Sequence, residues 1–254
     1  MTFSICVREP YTDPEGEEQY RFGVAVTTRL AAVGTLCPFA NEYGAVATQS
    51  LVNVELGERG VEYLADGLHV EDALDALLAA DEGSAQRQLH GVDRNGTFAF
   101  SGEECKPWYG HREEEDFTVA GNLLVGENTI DATAEAYAES RHEEPAGPAR
   151  PNVDGDDTDP APLAERLIDA LEAGHEAGGD KREDLTVQSA ALIVTRTEDR
   201  EFSPSYADLR VDATETPIED LRETYELAHD SYVQTLERYG DAYEEDDIAE
   251  SNED

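Results

Sequence analysis

Positive charge is what this 254-residue chain has least of. Lys and Arg together number 18 against 59 Asp and Glu, a formal net charge of −41, and only two of the cations, Lys106 and Lys181, are lysines. Without a basic stripe to neutralise phosphates, the sequence excludes nucleic acid as a partner, and an anionic membrane surface is excluded on the same ground. Long apolar runs are missing too. No stretch approaches the ~20 residues that span a bilayer, and the N-terminus lacks the charged-then-apolar pattern of a secretory signal. The expected location is the cytoplasm. Cysteine is scarce: Cys6, Cys37 and Cys105 are odd in number, far apart and without a CxxC pair, which argues against a disulfide framework or zinc knuckle and for three small core residues.

Several motifs are absent as well. The glycines form neither GxGxxG nor GxxxxGK[ST], so nucleotide binding has no support. There is no GxSxG elbow. His69, His90 and His111 are widely separated, with no HExxH or close pair to hold zinc, and read as structural or surface residues. Asp154, Asp156, Thr158 and Glu165 loosely echo a calcium loop. Asp159, however, stands where that loop requires glycine, and Pro160 and Pro162 interrupt the turn. No cofactor or resident metal is expected, beyond weak association of surface or loop carboxylates with salt cations.

What is present is acid, spread through helical stretches and not confined to a tail. Such charge self-repels at low ionic strength, whereas at about 1 M salt the Debye length falls to roughly 3 Å and the repulsion is screened. The composition therefore predicts a protein adapted to the cytoplasm of a halophile.

Alternation in TFSICVR and YRFGVAVTT predicts two strands, with Phe3, Ile5 and Val7, then Phe22, Val24 and Val26, on single faces. YGAVATQS is a third strand. Helices follow over 55–66 and through VEDALDALLAAD, where Val70, Ala73, Leu74, Leu77 and Leu78 form a stripe. QRQLHGVDRNGTFAFSG predicts a hairpin with Asn95-Gly96 as a two-residue turn of positive φ. FTVAGNLLVG gives a strand and 128–140 a helix. A helix from Leu163 to about 177 ends at Gly178-Gly179, and VQSAALIVT and YADLRV are the last strands. Thr216-Pro217-Ile218-Glu219 predicts a capped start to a helix striped by Ile218, Leu221, Tyr225, Ala228, Tyr232, Leu236, Tyr239 and Tyr243. Its length allows a homodimer contact. The order of elements predicts an α+β layered sandwich with helices outside stacked sheets. One domain is expected over 1–243, with an acidic surface loop about 142–162 and a flexible acidic tail at 244–254.

The opening stretch MTFSICVREP poses a chemical question. Methionine before threonine is usually trimmed, which would leave Thr2 with a free α-amine. A hydroxyl beside its own amine is a nucleophile with a base, and that amine titrates near neutrality.

The stretches MTFSI, GAVATQS, CKPWYGHR, AGNLLVG, PLAERLIDALEAGHEAGGDKR, QSAAL and DLRVD, spread from Thr2 to about Leu227, together resemble the family called domain of unknown function 1028. The resemblance implies a four-layer αββα fold like that of the N-terminal nucleophile hydrolases, which cleave amides with the first residue of the mature chain. GVAVTTR, residues 23–29, is similar to a strand beside the site in that superfamily. Two features depart from the family pattern: Glu183 to Val187 intervene after GGDKR, and DLRVDATETP lacks the histidine that stands shortly after DLRVD in the family. The expected activity is hydrolysis of a small amide through an acyl-threonine, with Thr2 as nucleophile and the Asn122 amide, or a backbone N–H near Gly121, as oxyanion donor. Arg29, His111, Asp180 and Arg182 are candidates for orienting the small-molecule substrate, Asp180 and Arg182 being equally readable as a mutual ion pair. The alternative is a non-catalytic protein that binds a metabolite or cation in the same cleft.

Overall fold

A computed structural model describes residues 2–13, 15–141, 161–182, 184–198, 204 and 206–251; within the last helix, side chains are described for residues 217–236, 238 and 239. All but the last two residues of the expected loop at 142–162 lie outside this set.

The two longest strands, β1 (Thr2–Thr12) and β2 (Glu18–Thr28), pair antiparallel over their full length, from Thr2 opposite Thr28 to Thr12 opposite Glu18. Both sit in the middle of a six-stranded sheet ordered β10-β9-β2-β1-β8-β7, with β7 (Gly110–Glu113), β8 (Phe117–Asn122), β9 (Gln188–Arg196) and β10 (Asp208–Thr214). A second sheet is ordered β3-β4-β5-β6, from β3 (Pro38–Asn41), β4 (Gly44–Ser50), β5 (Arg87–Asp93) and β6 (Thr97–Ser101). Every pairing among the described strands is antiparallel. Among the described residues there are five α-helices: α1 (Val54–Ala65), α2 (Val70–Ala80), α3 (Asn128–Ser140), α4 (Leu163–Glu176) and α5 (Pro217–Ser251).

Period-two alternation distributes the side chains of β1 between two cores. Phe3, Ile5 and Val7 join Ile130, Tyr137, Leu167, Leu171, Leu221 and Tyr225 in the core between the six-stranded sheet and α3, α4 and α5. Cys6 faces the other way, into a core with Val24, Val26, Cys37, Ala45 and Ala47 between the two sheets. A third core packs Val46 and Leu89 against Leu56, Leu64, Leu74 and Leu78 of α1 and α2. All three cysteines are free and buried, as their spacing suggested. Burial pushes the Cys37 thiol up to about 12.

Two local expectations need correction. The β5–β6 turn is centred on Arg94-Asn95, and neither Asn95 nor Gly96 has positive φ. The Asp93 carboxylate decides this: its Oδ1 accepts the N–H groups of Asn95 and Gly96, an Asx turn that needs no left-handed residue. Its Oδ2 accepts the Val70 N–H, capping α2 from outside the helix. At the start of α5, Asp220 replaces Glu219 as the capping partner, taking the Thr214 and Thr216 hydroxyls. The Gly178-Gly179 stop holds, with φ of 137° and 49°. The boundary expected at residue 243 falls inside α5, which continues to Ser251.

Strands β3 and β7 escaped sequence reading because each is a four-residue edge strand with little apolar alternation. Farther along β1 from Thr2, Glu9 is buried with Arg166, whose guanidinium meets both carboxylate oxygens at 2.6 and 2.7 Å, and the Tyr137 hydroxyl donates at 2.8 Å. Burial alone would raise the Glu9 carboxyl; the charge and hydrogen bonds of Arg166 outweigh it and hold the group at about 2.

Candidate functional site

Thr2 begins β1 and lies between Thr28, the last residue of β2, and Asn122, the last residue of β8, in the two antiparallel registers. By strand parity it shares a face with Ser4 and Cys6, the face turned to the second sheet. Its hydroxyl donates to Thr28 Oγ1 at 3.1 Å, and Thr2 is only half-buried while Thr28 and Asn122 are buried. The strand ends therefore present a hydroxyl and a carboxamide side by side at the mouth of the gap between the sheets.

Behind that mouth runs a buried polar row whose hydrogen-bond directions can be deduced. Gln88 Nε2 lies 3.0 Å from Gly110 O and 2.8 Å from Gly121 O, carbonyls that only accept, so the NH2 end of Gln88 must face them. Its Oε1 then faces the opposite way and accepts from Asn122 Nδ2 at 2.9 Å and from Gln49 Nε2 at 3.3 Å. That leaves Gln49 Oε1 to accept the Ser4 hydroxyl at 3.0 Å. Ser4, having donated its one proton, accepts from His90 Nε2 at 2.8 Å. His90 is therefore the Nε2–H tautomer, and its bare Nδ1 accepts from the Thr118 hydroxyl at 2.8 Å. Two backbone carbonyls thus set the tautomer of a histidine three side chains away. Burial, reinforced by the nearby His111 ring, holds His90 down at about 3, so it is neutral at any physiological pH.

Beside Asn122 opens a cavity of about 520 Å³ lined by Ser50, Leu51, Gln86, Glu103, Glu104, Cys105, Lys106, Pro107 and Leu123. Ser50 (φ 76°) and Leu123 (φ 55°) adopt left-handed backbone, and both line this cavity. Such strain in residues other than glycine gathers where the surroundings hold a backbone for a purpose. Burial raises the Cys105 thiol, which donates to Arg87 O at 3.3 Å, so it is a poor nucleophile near neutrality.

The remaining candidates divide into two groups. Asp180, buried, accepts the Arg29 backbone N–H at 3.3 Å and pairs with Arg182 through Oδ1 and Oδ2. The mutual ion pair is therefore present. A β-bridge between Asp180 and Leu124 ties this clamp to the segment that follows Asn122, and Arg29 donates onward to Leu185 O at 3.0 Å. Arg29, Asp180 and Arg182 thus lock the end of β2 to the chain beyond β8, flanking Thr2. His111 is instead exposed on edge strand β7, where its Nδ1 lies 2.9 Å from Ser101 Oγ, itself bonded to Gln88. It joins the row from the far side of Gln88. Backbone donors next to Asn122 are committed elsewhere: Leu123 N–H to Lys106 O and Leu124 N–H to Trp108 O, both at 3.0 Å. Among the described residues no group of three or more His, Cys, Asp or Glu is placed to hold a metal ion, and no helix is long and apolar enough to cross a membrane.

Comparison with known proteins follows the same span of chain. A model of one protein family matches residues 2–221. The chain belongs to DUF1028, a family of unknown function. Protein SPO2555 from Silicibacter pomeroyi, described as DUF1028, has a crystal structure similar to this one. The TM-score is 0.65 at 26% identity, over 89% of this chain and 85% of that one. No curated protein matches this DUF1028 chain.

Sequence reasoning missed Ser4, Gln49, Gln88, His90 and Thr118 as a unit. A signal was available: each is a polar residue at an inward position of an otherwise apolar strand, as Gln88 and His90 flank Leu89. The cavity left no comparable trace, because its residues come from four separate stretches of chain.

Proposed function

We propose that this DUF1028 chain is a small-amide hydrolase of the N-terminal nucleophile type, with Thr2 as its nucleophile, working in molar salt. Helices on both outer faces of two apposed sheets support the αββα reading. The single observation that carries the chemistry is the half-buried Thr2 hydroxyl at the mouth of the inter-sheet gap, with Asn122 as its strand neighbour.

Once Met1 is removed, the Thr2 amine accepts the hydroxyl proton as Oγ1 bonds to the carbonyl carbon. Asn122 gives one amide hydrogen to Gln88 and has a second on the same nitrogen for the developing oxyanion. The C–N bond then breaks, and the proton held by the amine passes to the leaving nitrogen. Water attacks the acyl-threonine ester with the same amine as base, releasing the acid and restoring Thr2. The Arg29, Asp180 and Arg182 clamp acts by holding the strand ends in register.

A β-lactone that acylates threonine nucleophiles tests this reading. Wild type is expected to be labelled, Thr2→Ser to retain labelling and Thr2→Ala to lose it. Equal labelling of wild type and Thr2→Ala would contradict the proposal.

A further inference from the structure

We propose that the cavity beside Asn122 binds the carboxylate end of a mono-anionic amide, with the Lys106 ammonium as its anchor. This names a substrate class for the proposed hydrolase and rests on that reading. The first ground is the placement of charge. The chain has 16 arginines but only two lysines, and both converge here. Lys181 Nζ donates to Pro107 O, tying down the loop that carries Lys106, while the Lys181 N–H reaches Leu123 O at 3.4 Å. In a molecule with 59 carboxylates, the Lys106 ammonium has neither an ion-pair nor a hydrogen-bond partner among the described residues, and Lys106 lines the cavity. An ammonium left unpaired amid such an excess of acid is available to a ligand, and a charge-assisted bond to a carboxylate is what it offers.

The second ground is connection to the chemistry. The Lys106 carbonyl accepts the Leu123 N–H, which places the anchor's backbone next to the residue following Asn122, itself the strand partner of Thr2. A ligand whose carboxylate meets Lys106 therefore extends its other end toward the Asn122 amide and the Thr2 hydroxyl. Leu51, Pro107 and Leu123 supply apolar wall for the methylenes between the two ends. Glu103 and Glu104 line the same cavity, and Glu104 is held by Gln86 at 2.8 Å. They disfavour a second carboxylate, which limits the ligand to one negative charge.

Three probes of similar size separate these claims: glutaramate (one carboxylate, one amide), glutaramide (two amides) and glutarate (two carboxylates). Each is titrated calorimetrically into the Thr2→Ala protein, so that nothing is consumed. Glutaramate is expected to bind about tenfold more tightly than either of the others. Adding Lys106→Gln should erase the preference over glutaramide without altering glutaramide binding, and Lys106→Arg should keep it. Equal affinities, a preference indifferent to Lys106→Gln, or no binding by any probe down to millimolar dissociation constants would each overturn the inference. Lactone labelling of wild type reports separately. If Thr2 is labelled while the three probes bind alike, the anionic site alone falls. If the Lys106-dependent preference holds while Thr2 is inert, a carboxylate-binding cavity remains and the hydrolase reading falls.

Discussion

The polar row behind the site makes a quantitative demand on stability. His90 is held at about 3 in the folded protein against an ordinary 6.5, so below 6.5 the unfolded chain takes up a proton that the folded chain refuses. Stability from this group is constant above 6.5 and falls as pH drops from 6.5 toward 3. Between about pH 7.5 and 5 only the part below 6.5 counts. That is a ~1.5-unit window at ~1.4 kcal/mol per unit, or roughly 2 kcal/mol lost. His90→Gln is the informative perturbation. A glutamine can donate to Ser4 through Nε2 and accept from Thr118 through Oε1, which preserves the deduced bond directions while removing the titration. Urea unfolding at constant molar salt, followed by circular dichroism at both pH values, measures the difference. Carboxylates elsewhere contribute alike to both proteins, so His90→Gln should lose about 2 kcal/mol less than wild type on acidification. If the two proteins lose stability in parallel, the buried neutral imidazole is not in the state deduced here.

Two further outcomes follow from buried contacts away from the cavity. Arg166→Met strips a buried carboxylate of its bidentate partner and should destabilise the protein by about 3–5 kcal/mol in neutral denaturation; burial then dominates Glu9, raising its carboxyl, and adding Glu9→Gln should recover part of the loss. Gly174→Ala would set a methyl against Thr133 Oγ1 and 2.9 Å from Phe3 Cε2 where α4 packs on α3 and on the Phe3 ring, a cost of roughly 1–3 kcal/mol readable as a lowered Tm.

The long elements were legible because their burial is one-sided. Phe3, Ile5 and Val7 alternate against a helical layer, and Leu74, Leu77 and Leu78 recur at helical spacing against a sheet, so periodicity and packing agree. Turns and caps were less so, because one distant side chain can override the local pattern: Asp93 fixes both the β5–β6 turn and the start of α2. Thr2 and Asn122 came from chemistry and resemblance, and the register sets them opposite one another. Asp180 and Arg182 were readable as a pair, since a single residue, Lys181, separates them in sequence and their charges are opposite. The row from Gln88 to His90 and the cavity at Lys106 were not legible, since both depend on which loops and which strand faces the two sheets bring together.

Everything mechanistic depends on a free amine and a hydroxyl on the same residue. The most direct measurement is the mass of the N-terminal peptide from protein made in its native host and exposed to the lactone. The expected peptide begins at Thr2 and carries one acyl adduct. A peptide that retains Met1 and carries no adduct would contradict the proposed mechanism.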